Sequence, residues 1–379
     1  MKAFGVLHIA SFTGNIGDNA NHLGFRRWFE TLVENKIQWN ELEIREFYWK
    51  NKFWDKEFVK YANNFDLIII GGGNYFELWV EKSPTGTSIE IEPVLFKQIE
   101  RPVYFNALGV DPGQGASEFS IEKFKTFIEI IAEKNGLITV RNDGALANLE
   151  EYVGSDYLKY FHEAPDGGFF INGFIKDDIK KSDQKIKIGC NVASDMPEVR
   201  FKEFIDGVDG FSKEFAQAIV KISKQLNNCE FVFFPHIFKD LEIINNIITY
   251  LPDEFRRKYL TVFEYSTGNH AAIKTFSSYK ECNLILATRF HANVCSLSLG
   301  INTLGLMNYI QIENLYKGLE QEEKLVDVRT SGFSEVLEYK VLSILKDKTN
   351  NVSKEPLDMV IEMRAKMEVI LTNWLKESM

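Results

Sequence analysis

Short runs of β-branched and apolar residues alternate with longer amphipathic segments along nearly the whole chain. Buried parallel strands read as continuous apolar runs and crossover helices as stripes of period 3.6, so this alternation constrains the fold to α/β architecture. In the first half the expected strands are Phe4–Ile9, Glu43–Phe47, Leu67–Ile70, Val103–Asn106 and Leu137–Val140. Helices are expected at His22–Glu34, Asp55–Ala62, Ile121–Lys134 and Gly144–Tyr152. The pattern breaks near 155–186, where Pro165-Asp166-Gly167-Gly168 and a charged run up to Lys187 read as a linker. It restarts with strands at Lys187–Asn191, Glu230–Phe234, Leu260–Phe263, Leu284–Leu286 and Thr303–Leu306. The matching helices are Gly210–Leu226, Leu241–Leu251, Ala271–Lys280, Asn293–Leu299 and Ser334–Lys348. In the tail, Leu357, Val360, Ile361, Met367, Ile370 and Leu371 recur at helical spacing and predict an amphipathic closing helix over Glu355–Lys376.

The expected fold class is therefore α/β with two Rossmann-like, doubly wound domains, residues 1–180 and 181–350, and 351–379 packing back on them as a helix. A length of 379 residues agrees, at about 150 residues per domain. Two such domains predict an interdomain cleft, with ligands at the carboxyl ends of the strands.

Forty-four Lys and Arg face 54 Asp and Glu, a net charge of −10, which argues against a nucleic-acid footprint. A small anion is still admissible, because a few cations in a cleft outweigh the global field locally. Cys190, Cys229, Cys282 and Cys295 have neither zinc-ribbon nor CxxC spacing and read as buried free thiols in a reducing compartment. The opening ten residues run into a polar turn without a cleavage site, and no run of 18 apolar residues occurs. A cytoplasmic protein without an integral membrane segment is expected.

Residues just past strand ends carry the candidate chemistry. Asn15, Gly17 and Asp18 form a turn before the first helix, where free N–H groups can meet an anion or a sugar oxygen, or simply cap the helix. Gly71-Gly72-Gly73-Asn74 ends a buried strand and lets bare backbone approach a ligand. Arg141 follows Ile138-Thr139-Val140 and offers its donor fork either to an anion or to Asp143. Arg289 and His291 are two apart, so in extended backbone both would point to one side, joining a permanent cation to a titratable imidazole. His236 after Pro235 is either structural or a substrate contact. No metal-ligand spacing, P-loop, GxGxxG or GxSxG is present, so neither a metal nor a resident cofactor is expected.

In this order the motifs resemble the polysaccharide pyruvyl transferase family. They are Asn15-x-Gly17-Asp18, Asp66-Leu-Ile-Ile-Ile-Gly-Gly-Gly, Gly109-x-x-Pro112-Gly113, Val140-Arg141-x-Asp143, Pro235-His236 with Asp240, and Arg289-Phe-His291-Ala292. The resemblance implies a GT-B-like arrangement. It also implies transfer of the enolpyruvate-derived unit of phosphoenolpyruvate, a co-substrate, to two hydroxyls of a sugar, forming a pyruvate ketal and releasing phosphate. The sugar would belong to a cell-surface or capsular polysaccharide precursor. If that acceptor is lipid-linked, the protein would work at the inner membrane surface.

Carried over by motif, Arg141, Arg289 and His291 are the implied catalytic residues and, with Asn308, Gln311 and Lys317, the donor-binding ones. Asn15, Gly17, Asp18, Gly72, Gly73, Asn74 and His236 are the implied substrate contacts, the first domain taking the acceptor and the second the donor. Gln311 stands where relatives carry a lysine, so that cation is either absent or supplied by Lys317; Asn302 replaces a family proline, and Gly144-Ala145 a serine position. Two competing classes remain: a GT-B-like glycosyltransferase using a nucleotide sugar, and a glycan-binding protein without turnover.

Overall fold

The computed structural model describes residues 3–113, 115–176, 179, 181, 185–226, 228–346 and 355–378. The strands are β1 Phe4–Ala10, β2 Ile37–Glu43, β3 Leu67–Gly71, β4 Phe76–Glu77, β5 Val103–Leu108, β6 Val110–Asp111, β7 Leu137–Arg141 and β8 His162–Ala164. In the second half they are β9 Ile186–Asn191, β10 Cys229–Phe233, β11 Leu260–Val262, β12 Leu284–Ala287, β13 Asn302–Met307 and β14 Leu325–Asp327.

Six of the first eight form one sheet in the order β2-β1-β3-β5-β7-β8, and the last six form another in the order β11-β10-β9-β12-β13-β14. Pairing is parallel throughout. The two sheets differ in strand order: ranked within each sheet, the first runs 2-1-3-4-5-6 and the second 3-2-1-4-5-6. The first strand of each lies inside the sheet, flanked by the strand that follows it on one side and by a later strand on the other. The order reverses between β1 and β3 and between β9 and β12, and ligands of open α/β sheets bind at such reversals.

Contacts divide the described residues into two compact units, Met1–Phe12 with Phe25–Gly167 and Met359–Met379, and Thr13–Gly24 with Gly168–Asp358. Where sequence put boundaries at 180 and 350, the chain divides at Gly167/Gly168 and Asp358/Met359, and residues 13–24 sort with the second unit. The closing helix, Glu355–Ser378, buries Met367, Leu371, Trp374 and Leu375 against Phe4, Val6, Leu67 and Tyr104 of the first unit. All four cysteines are buried in the second unit, with no disulfide among the described residues.

Local physics explains where the elements depart from expectation. The strand expected at Glu43–Phe47 is instead β2, a half-exposed edge whose mostly polar sequence has no continuous apolar run to stand out. Arg45–Tyr48 turns into a helix that carries Phe47 into the core, stacked on Trp54 at 4.0 Å. The first helix runs over Ile16–Phe29, earlier than the expected His22 start, because the Asn15 side chain accepts from the Gly17 N–H at 2.9 Å and caps it. The supposed linker contains 3-10 turns at Ser155–Tyr160 and Gly167–Phe174 with β8 between them. Its residues 177, 178, 180 and 182–184, and the expected end of Ser334–Lys348, lie outside the described residues.

Candidate functional site

The switch point of the second sheet is stitched together by polar contacts past the ends of β9 and β12. Asn191 accepts from the backbone N–H groups of Thr288 and Arg289, and the Thr288 hydroxyl accepts from Ala193 N–H at 2.7 Å. Arg289 then stands at the N-cap of the helix Phe290–Ser298. His291 is in that helix's first turn, so the same-side placement expected from extended backbone does not apply; the helix start positions the pair instead.

Two carboxylates clamp the Arg289 guanidinium. Asp240 takes Nε at 2.8 Å and Nη2 at 2.5 Å, and Asp195 takes Nη2 at 2.6 Å. Burial works against that cation, but the two carboxylates prevail and raise the Arg289 pKa further. Asp240 is fully buried and also accepts from the N–H groups of His236 and Ile237, so Pro235-His236…Asp240 is the cradle that fixes Arg289. Burial likewise opposes charge on Asp195, yet Arg289 and Arg200 hold its carboxyl well below the usual carboxylate range.

His291 packs against the Asn15-x-Gly-Asp turn, which sorts with this second unit rather than with the first. Its Nδ1 lies 3.6 Å from Asp18 Oδ1, and Asn15 Nδ2 donates to the same oxygen at 3.0 Å. The Ile16 N–H donates to the His236 carbonyl at 3.3 Å, tying the turn to the Asp240 cradle. The His236 ring is wholly buried, with Nε2 2.8 Å from the Tyr279 hydroxyl. Burial first, then the neighbouring Arg289 and His291, push its pKa well below the ordinary value, so it is neutral.

The donor residues expected downstream fall into two groups. Asn308 is buried at the end of β13 and accepts from Arg200 Nη1 at 3.0 Å. Gln311 is in the first turn of the helix Ile310–Gly318, whereas Lys317 is exposed in its last turn and paired with Glu313 at 2.6 Å.

The first unit holds a separate polar cluster at its own strand ends. Arg141 is buried and donates to Asp143 through Nε at 2.8 Å, with Asp166 3.7 Å from Nη1. Its cation is therefore matched by two carboxylates. Asn74 donates to Asp111 at 3.0 Å, and a Cβ on Gly109 would stand 2.2 Å from Asn74 Oδ1 and 2.8 Å from Arg141 Nη2. Gly71 and Gly72 both adopt positive φ, 140° and 86°, as the turn after β3 requires. Tyr75 and Phe76, which follow this turn, are buried in the core of the first unit.

Sequence reasoning missed Asp195, Arg200 and Asp166. Asp195 follows β9 as Arg289 follows β12, so the strand-end rule could have found it; Asp166 lay within the supposed linker. Among the described residues, no group of three or more His, Cys, Asp and Glu could hold a metal ion.

A family model described as polysaccharide pyruvyl transferase matches residues 14–309. No curated protein matches the chain by sequence. Among solved structures, the UDP-GlcNAc 2-epimerase from Methanocaldococcus jannaschii is similar, with a TM-score of 0.57 at 10% identity, covering 97% of this chain and 99% of that one. A putative UDP-N-acetylglucosamine 2-epimerase from Listeria monocytogenes gives 0.55 at 10%, covering 95% and 91%. Anabaena HepE in complex with UDP and glucose gives 0.54 at 11%, covering 98% and 100%. At these identities the likeness shows the fold class alone, GT-B-like α/β with two parallel-sheet units.

Proposed function

The chain belongs to the polysaccharide pyruvyl transferase family, and from that premise we propose that it transfers the enolpyruvate-derived unit of phosphoenolpyruvate to two hydroxyls of one sugar in a cell-surface polysaccharide precursor. The observation that carries this reading is Arg289, held by Asp240 and Asp195 at the switch point of the second sheet, two residues before His291. A fixed guanidinium fork suits the donor's phosphate or carboxylate.

A proton adds to the enol methylene, making it a methyl group and leaving a cation-like C2. One sugar hydroxyl adds to C2 and loses its proton. The C2–O bond to phosphate then breaks, phosphate departs, and the second hydroxyl closes the ketal as it loses its proton. We assign His291 as the acid for the first step. Arg289 is assigned to stabilise the anionic groups, Asn308, Gln311 and Lys317 to the donor segment, and Arg141 to the catalytic set on the motif it carries. Asn15, Gly17, Asp18, Gly72, Gly73, Asn74 and His236 remain the proposed substrate residues, of which His236 acts from the interior. The reaction is placed in the cytoplasm without a resident cofactor, and no described helix is long and apolar enough to cross a membrane.

Thermal unfolding with phosphoenolpyruvate, and separately with UDP-, GDP- and CMP-sugars, tests the donor. A ligand at 100 times its Kd stabilises by about 2.7 kcal/mol. Stabilisation by phosphoenolpyruvate that disappears in Arg289→Lys is expected; stabilisation by a nucleotide sugar alone would replace this function with glycosyl transfer.

A further inference from the structure

Asp195 has an unusual position for a carboxylate. It lies past the end of β9 in Ala193-Ser194-Asp195-Met196-Pro197, and each of its oxygens is taken by a different arginine. Oδ1 accepts from Arg289 at 2.6 Å and Oδ2 accepts from Arg200 at 3.0 Å. Arg200 is itself buried. Its Nε donates to the Asp195 carbonyl at 2.8 Å, its Nη1 donates to Asn308 Oδ1 at 3.0 Å, and its guanidinium lies over the Tyr309 ring at 5.1 Å.

We infer that Arg200, Arg289 and Asn308 form a phosphoryl-binding subsite that Asp195 fills as an internal counter-anion, to be displaced when a phosphoryl group arrives.

Three observations support this. First, the two carboxylates on Arg289 differ: the Asp240 side chain is 0% exposed, while that of Asp195 is 30% exposed, so only Asp195 can leave toward solvent. Second, a carboxylate brings two acceptor oxygens to a site with three donor residues. Both guanidiniums are served, yet Asn308 Nδ2, on the same amide that accepts from Arg200, is buried with no acceptor. A phosphoryl group has three terminal oxygens, one for each of Arg289, Arg200 and Asn308. Third, Met196 next to Asp195 sits at φ 52°, a left-handed conformation that costs a non-glycine residue energy and that can relax when the segment moves.

The electrostatics favour exchange over simple departure. Without Asp195, Arg289 would keep only Asp240 and the buried Arg200 would lose its carboxylate, and an unmatched buried charge is costly. The carboxylate is therefore held until another anion takes its place. The subsite deepens the proposed function, resting on it only for which phosphoryl compound is natural; the phosphate of phosphoenolpyruvate and the diphosphate of a nucleotide sugar share the chemistry.

Titration calorimetry on the full chain separates the possibilities, using phosphoenolpyruvate, inorganic phosphate, UDP and pyruvate as probes on wild type, Arg200→Gln, Asn308→Leu and Asp195→Asn. Circular dichroism establishes that each variant is folded. Arg200→Gln is expected to weaken phosphoenolpyruvate and phosphate by about tenfold or more, and Asn308→Leu by less. Asp195→Asn, which is isosteric but uncharged, is expected to tighten both by about tenfold because no anion has to be displaced. Pyruvate, which lacks the phosphoryl group, should not respond to Arg200→Gln. Unchanged or weaker phosphate binding in Asp195→Asn overturns the displacement, and unchanged binding in Arg200→Gln overturns the subsite. If UDP binds and shows this pattern while phosphoenolpyruvate does not bind, the subsite stands and the pyruvyl donor falls. If none of the phosphoryl probes binds wild type or Asp195→Asn at millimolar concentration, the subsite is overturned.

Discussion

Gly17 and His291 are in such close approach that nothing larger than hydrogen fits between them: a Cβ on Gly17 would stand 2.5 Å from His291 Cβ and 2.8 Å from its Cγ and Nδ1. The glycine of the Asn15-x-Gly-Asp turn is therefore a packing partner of the proposed acid. Its backbone does not need positive φ, so the constraint is space rather than conformation.

Gly17→Ala should push His291 aside without unfolding the chain. Transfer, followed as phosphate release, is expected to fall at least about tenfold, a barrier change of roughly 1.4 kcal/mol. Gly318→Ala, where an added Cβ meets nothing within 4 Å, is the matched control and should be neutral or slightly stabilising.

Removing one partner from the Arg289 clamp should cost more stability than changing its reach. Asp240→Ala leaves a buried guanidinium short of a carboxylate and is expected to destabilise by about 3–5 kcal/mol in denaturant unfolding. Arg289→Lys keeps the charge but loses the fork, so it should stay folded while losing most donor affinity.

Glu77 should give the first unit a pH dependence. Glu77 and Asp111 are cross-strand partners of β4 and β6, and burial together with the Asp111 charge pushes the Glu77 carboxyl from 4.5 up to about 8. The folded chain thus keeps a proton that the unfolded chain releases, and the stability this contributes is full below 4.5 and is lost as pH rises through about 8. Glu77→Gln should be more stable than wild type above that range, on the order of 2 kcal/mol, with the advantage gone at acid pH. Unfolding midpoints compared across this window check it.

His236 should act in the opposite direction on the pH scale. Its folded pKa is depressed by burial and by Arg289 and His291, so below the ordinary 6.5 the unfolded chain takes up a proton that the folded chain refuses. Stability then falls with decreasing pH, by up to about 1.4 kcal/mol per pH unit. His236→Gln is expected to flatten this slope below 6.5 and leave stability above it little changed in pH dependence.

Trp374 should anchor the closing helix. It is buried, its indole N–H donates to the Asn135 carbonyl at 2.7 Å, and its ring lies 6.1 Å from that of Tyr104. Trp374→Ala is expected to cost about 3–5 kcal/mol by denaturant unfolding, with the loss confined to the first unit.

Buried central strands were readable because burial on both faces leaves a continuous apolar run, as in Leu67–Gly71 and Leu284–Ala287. Edge strands were read unevenly: β11 was expected at Leu260–Phe263, but β2 is a half-exposed, mostly polar strand and β8 is three residues long inside a turn-rich stretch. Arg289, His291 and Asp240 were visible as strand-end residues. Asp195 was no less a strand-end residue, but its pairing was not readable, since Arg289 is 94 residues away in sequence.

By itself the sequence determined the architecture and the chemical inventory: local periodicity sets strands and helices, and residue type fixes which groups can carry charge or protons. Only the tertiary structure decided how that inventory is partnered. It paired Arg141 with Asp143 and Asp166, gave Asp195 to two arginines, and set Gly17 against His291 within the second unit. The reason is physical: propensity and periodicity act over a few residues, whereas burial, charge pairing and steric exclusion act across whatever distance the folded chain brings together.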